Sequence, residues 1–235
     1  MTGILAGLRI VEGSAFIAAP LGGMTLAQMG ADLSDEQIES SASICDPLQL
    51  FDCCPTSDGA AAVVLVARSM LREVTGVPVD ILAAIQTRGS SRIAGHPDLC
   101  SFEATVSAAQ RAYQAAGIVP ADVDVVELHD CFSIAEVIDS EDLGLVPRGE
   151  GAVWAAEGRT AVDGEVAINP SGGLLAKGHP VGATGLSMLA ELATQLRGEA
   201  GARQVEGAKV ALAENGGGVI GMEEAVASVV ILKKE

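Results

Sequence analysis

Apolar positions recur along this chain with two different periods, and the switches between them predict its elements. From Ser101 to Gly117, the residues Phe102, Val106, Ala109, Ala112 or Tyr113 and Ala116 fall on one helical stripe. Ser101 is placed to cap that helix, and Gly117 and Pro120 to end it. A second helix is predicted from Thr184 or Gly185 to about Arg197 on the spacing of Leu186, Leu189, Ala190, Ala193 and Leu196. A shorter helix-like run opens at Phe132 or Ser133 and passes through Glu136, Val137 and Ile138. Between these, Asp122 to Leu128, Ala208 to Ala213 and Ala225 to Ile231 read as strands. Ala60 to Val66 is apolar without alternation, which predicts a strand buried on both faces.

The first segment has a different character. Leu5 to Glu12 has a short strand pattern, and a Gly- and Met-rich, helix-like run leads from Gly13 to Asp32. Arg9 and Glu12 interrupt what would be the apolar centre of a secretion signal, and a charged start is missing. From Leu33 the composition turns to Ser, Asp and Glu, so a boundary is predicted near residue 33.

Composition narrows the class. The chain has 235 residues, 49% of them hydrophobic, enough for one or two domains with a substantial core. Asp and Glu outnumber Lys and Arg by 31 to 14, giving a formal charge of −17, which argues against nucleic-acid or anionic-membrane partners. No apolar run approaches the roughly 20 residues of a membrane-spanning helix. The five cysteines form no C-x-x-C pair, and their odd number fits a reducing, cytoplasmic setting without a structural metal.

Candidate chemistry gathers where predicted strands end. His129-Asp130-Cys131-Phe132 follows one strand, at the edge where α/β sheets open a crevice to ligands. Either His129 and Cys131 act there, or Asp130 caps a helix beside a buried imidazole and an inert thiol. Asn169 to Gly185 packs five glycines and two prolines around His179, a rigid turn that feeds the N-terminus of the second helix. Glu214-Asn215-Gly216-Gly217-Gly218 follows a third strand; its glycines either bring backbone N–H groups close to a ligand oxygen or form a flexible hairpin turn. Neither a G-x-G-x-x-G spacing nor a Gly-Lys-Ser/Thr ending occurs, so a phosphate loop is not indicated.

The strings DCCPTSDGAAAVVL, HDCFS, INPSGGLLAKGHPVGATG and QLRGEAGARQVEGAKVALAENGGG, in that order, resemble the C-terminal half of a thiolase. The likeness covers residues 34–235 and is closest to the sterol-carrier-protein type. It implies an α/β fold, a thiolase-like C-terminal domain with a mixed β-sheet flanked by helices. By the same likeness, residues 34–75 are a linker with the last strand of a thiolase N-terminal domain, and 76–235 are the C-terminal domain. Residues 1–33 resemble instead the opening of a family III CoA-transferase, through LAGLRIVEGSAFIAAPLGGMTLAQMGAD, and are expected to pack poorly as a leader.

The thiolase likeness also implies roles. His179 would activate a cysteine nucleophile and help bind the thioester oxygen, and His129 would hold a water or substrate oxygen opposite it. Cys131 would transfer protons in place of the loop cysteine of other thiolases, where this chain has Glu214, either a substitute base or a loop-edge carboxylate. Gly216 would donate its N–H to a second oxyanion hole. Cys54 would touch the pantetheine arm, with Asn169 and Gly172 also contacting substrate. Cys45 and Cys100 are expected to be structural, and His96 matches no catalytic position. The substrate implied is a coenzyme A thioester, with no further cofactor. The acyl-accepting cysteine belongs to a thiolase half without counterpart here, so a partner chain carrying that half, or a homo-oligomer, is expected. The alternative is a non-catalytic acyl-CoA or lipid binding and transfer module. His129, Cys131, His179 and Glu214 should converge on one crevice.

Overall fold

The computed structural model describes residues 35–73, 77–90, 98–221 and 223–234. The expectations for the leader and for His96 lie outside these residues. In chain order the elements are α1 (Asp35–Glu39), β1 (Ser43–Cys45), β2 (Leu48–Gln49), β3 (Val79–Arg88), α2 (Glu103–Ala116), β4 (Val125–Glu127), α3 (Ser133–Asp142), α4 (Gly151–Ala156), β5 (Ala167–Ile168), α5 (Gly173–Lys177), α6 (Thr184–Arg197), β6 (Val210–Ile220) and β7 (Glu223–Lys234).

Five of the strands form one mixed sheet in the order β3-β7-β6-β4-β5. β7 runs antiparallel to β3 and β6, whereas β4 is parallel to both β6 and β5. Side chains on successive strand residues point to opposite faces, and here both faces are covered. Val126, Leu128, Val210 and Leu212 pack with Ala108, Ala112 and Tyr113 of α2. The intervening Val125, Ala211 and Ala213 pack with Met188, Leu192 and Leu196 of α6. This explains why the strands read as almost uninterrupted apolar runs. The expected architecture, a mixed sheet between helices, is present.

α6 occupies Thr184–Arg197, as its spacing predicts, and closes on the left-handed Gly198 at φ 79°. α2 likewise closes on Gly117, at φ 69°. Its start differs from expectation: Asp142, at the end of α3, accepts the Phe102 N–H at 2.6 Å and the Ser101 hydroxyl at 2.7 Å. Phe102 rather than Ser101 is therefore the N-cap residue, and a distant carboxylate holds its N–H.

Two further expectations are corrected. Ala60 to Val66 forms no strand, and Val64 and Leu65 are exposed, because β3 takes the sheet edge next to β7 and leaves that run no strand to pair with. β3 itself has no clear alternation, since Asp80, Gln86 and Arg88 interrupt an edge strand that is only partly buried. The triple glycine is no turn: β6 continues through it, with Gly216 opposite Ala227 and Gly217 opposite Val226. Among the described residues no helix is long and apolar enough to cross a membrane.

Candidate functional site

At the end of β4 the backbone ladder gives way to side chains. The Leu128 N–H donates to Asn169 Oδ1 at 2.8 Å, and the His129 N–H donates to Glu214 Oε2 at 3.1 Å. Neighbouring strands thereby finish β4 with an amide and a carboxylate, which turn the chain out of the sheet at His129. Asn169 holds φ 49°, a left-handed conformation that Asn tolerates better than most residues. Its Nδ2 donates to Glu136 at 3.0 Å, so both ends of this amide serve the scaffold.

Asp130 fills the capping role. Its carboxylate accepts the N–H groups of Leu174 at 2.7 Å and Leu175 at 3.4 Å, at the start of α5. Burial outweighs these bonds and pushes the Asp130 carboxyl up to about 6. Gly172, at φ 91°, is the residue from which α5 starts. The far end of α5 is held by Lys177, which pairs with the buried Glu127 at 2.9 Å.

The His179 loop is anchored on both sides. Its N–H donates to Pro55 O at 2.9 Å, and Thr56 bridges the same residue, so the segment carrying Cys53 and Cys54 crosses over the site. Cys54 in turn donates its N–H to Cys131 O at 3.0 Å. His179 Nδ1 lies 2.7 Å from the Thr184 hydroxyl, which donates its own proton to Pro180 O at 3.3 Å. Where the Thr184 hydroxyl keeps its bond to Pro180 O it accepts from Nδ1–H, the tautomer that leaves the lone pair on Nε2.

The two imidazoles meet edge to face, with ring centroids 4.9 Å apart at 85°. Burial lowers His129 to about 4, assisted by the neighbouring His179 and opposed by the Asn215 amide beside it. Burial also lowers His179. Burial thus favours the neutral form of both rings. The thiols are the reverse of activated. Burial and the Asp130 carboxyl push Cys54 up to about 11. Burial, with Cys54 and Glu224 nearby, pushes Cys131 up to about 12.

The site thus unites His129, His179, Cys54, Cys131 and, through the His129 backbone, Glu214. Glu214 is not a loop-edge carboxylate: it is fully buried within β6. Cys45 and Cys100 are exposed and fill no core position. Thr184 and Asn215 were missed as site residues, although both stand inside the Gly-rich strings around His179 and after Glu214. Beside His179, residues 57–61 and 180–183 line an open groove of about 430 Å³.

Comparison with known proteins places the chain in a family. Residues 86–234 match the thiolase C-terminal domain-like family. The chain belongs to the thiolase family. It is 48% identical to an acetyl-CoA acetyltransferase of Methanothermobacter thermautotrophicus, over 83% of this chain and 51% of that protein. It is 43% identical to human sterol carrier protein 2, over 83% of this chain and 37% of that protein. Among solved structures, an Ltp2-ChsH2(DUF35) aldolase shares the thiolase-like fold with a TM-score of 0.74 at 24% identity, over 87% of this chain and 52% of that one. The chain spans about half the length, or less, of these curated relatives. The likeness to the C-terminal part of thiolases, and the mixed-sheet fold it implied, both hold.

Proposed function

We propose that this thiolase domain handles acyl-CoA thioesters in acyltransfer of the acetyl-CoA acetyltransferase kind. The observation that carries the reading is the pair of imidazoles meeting edge to face, with His179 held at Nδ1 by the Thr184 hydroxyl. In cleavage of a 3-oxoacyl-CoA, Nε2 would take the proton of an incoming thiol, whose sulfur then bonds to the 3-oxo carbon. As the C2–C3 bond breaks, its electron pair stays on C2 of the departing acetyl-CoA, and C2 takes a proton from Cys131. A thiol raised to about 12 is a poor nucleophile but a suitable donor to a carbanion. His129 would hold the carbonyl oxygen of the bound thioester, and the groove beside His179 gives the coenzyme A arm an approach.

The nucleophilic thiol is expected from a thiolase N-terminal half, since burial raises both the Cys54 and the Cys131 thiol. The same observation supports a second reading, an acyl-CoA or lipid binding and transfer module. The test is calorimetric titration of the purified chain with acetoacetyl-CoA, then incubation with CoA and mass spectrometry of the protein. Weak binding, lost by tenfold or more in His179→Ala, with turnover only after a thiolase N-terminal half is added, supports acyltransfer. Binding without turnover in the mixture supports the binding module. Robust turnover by the chain alone, with an acyl group on Cys131, would overturn the assignment of that residue as proton donor.

A further inference from the structure

Glu214 belongs to a second group of ionisable side chains. Its neighbour Asn215 points to the α6 side and lies against Gly185, while Glu214 itself, on the opposite parity, faces the α2 side of the sheet. There it meets Asp139 of α3 and Glu224 of β7, and one oxygen from each of the three lies within 4.8 Å of the others. Asp139 and Glu214 are fully buried. Both oxygens of Asp139, and Oε1 of Glu214, have no hydrogen-bond partner. Glu224 accepts the Thr105 hydroxyl at 3.3 Å, and its carboxylate rests where a side chain at position 216 would stand.

We propose that Asp139, Glu214 and Glu224 form a buried site for a hard divalent cation on the face of the sheet opposite Asn215. Asp139 and Glu214 are fully buried and lie beside the partly buried Glu224, so in their charged forms they repel one another and lose hydration, and neither has a basic partner among the described residues. Buried polar atoms are almost always paired, so the unpartnered oxygens of Asp139 and Glu214, gathered beside the Glu224 carboxylate, are groups that a bound cation would satisfy. A donor set made only of oxygens selects calcium, magnesium or manganese over zinc or copper. Oxygens that all lie within 4.8 Å of one another can reach a single calcium-sized ion at about 2.4 Å each. Because Glu214 Oε2 also accepts the His129 N–H, the cation would act as a positioning element for that imidazole.

The test uses the full chain, stripped with EDTA and returned to metal-free buffer. Calcium, magnesium and manganese chlorides are titrated separately by calorimetry and thermal melting. One of them should bind at one ion per chain and raise Tm by about 5–10 °C at a hundredfold excess over Kd. Asp139→Asn should weaken binding at least tenfold, and Glu224→Gln, at the partly buried position, provides a variant with less risk to folding. In the unmodified chain, bound manganese should broaden the amide signals of His129 and Glu214. No binding of any of the three at millimolar concentration overturns the proposal. So does binding that leaves His129 and Glu214 sharp.

Discussion

Burial lowers the pKa of His129 to about 4, against 6.5 for a free imidazole, so between those values the unfolded chain binds a proton that the folded chain resists. The contribution of the neutral ring to stability is therefore fully present above pH 6.5 and is lost as pH falls towards 4, by about 3 kcal/mol. Asp130, pushed up to about 6, and Glu136, pushed up to about 7, have the opposite sign. Burial makes their protonated forms the favoured ones in the fold, so their contribution is lost as pH rises through those values. A His129→Gln variant isolates the first effect, since the carboxyls remain in both proteins. The stability difference between wild type and variant should grow by about 3 kcal/mol from pH 4 to 6.5, as read from urea denaturation at each pH. A difference independent of pH would show that His129 titrates normally.

At the scale of elements, α5 depends on a position where nothing larger than glycine fits. Gly173 adopts φ 61°, and a Cβ there would collide with the Asp130 carboxylate that caps the helix. Gly117 has a similar φ of 69° but faces open space. Gly173→Ala should cost about 2–4 kcal/mol and Gly117→Ala about 1 kcal/mol, measured by thermal or urea denaturation. Equal costs would mean that the Asp130 contact is dispensable. Some of this was legible beforehand. The extent of α6, the strand before His129 and the meeting of His129 with His179 could be read from spacing and motif, whereas the buried face of α6 is Met188, Leu192 and Leu196 and leaves the expected Leu186 exposed. What spacing does not contain is the identity of a partner. Ala60 to Val66 has the composition of a buried strand but no neighbour to bond with, while Val79–Arg88 becomes one because β7 offers it an edge. The Asp142 cap of α2 and the Thr184 bond to His179 were likewise invisible, because each joins residues through the fold rather than through a local pattern.

Across the whole molecule, β7 is the strand on which the sheet depends. It is hydrogen-bonded on both sides, to β3 from Val79 opposite Lys234 and to β6 from Val210 opposite Lys233. Native-state hydrogen exchange should therefore find the slowest amides at Val229, Val230 and Ile231, opening only with global unfolding, while Ala60 to Val66 exchanges fast. Early exchange at Val229 to Ile231 would show that the two halves of the sheet separate on their own. The same placement sets a timetable for synthesis. Val79 leaves the ribosome about 155 residues before its partner Lys234 exists. At roughly 5–20 residues per second, β3 then waits about 8–30 s with an unpaired edge. During that interval the nascent chain is most exposed to pairing with the wrong strand.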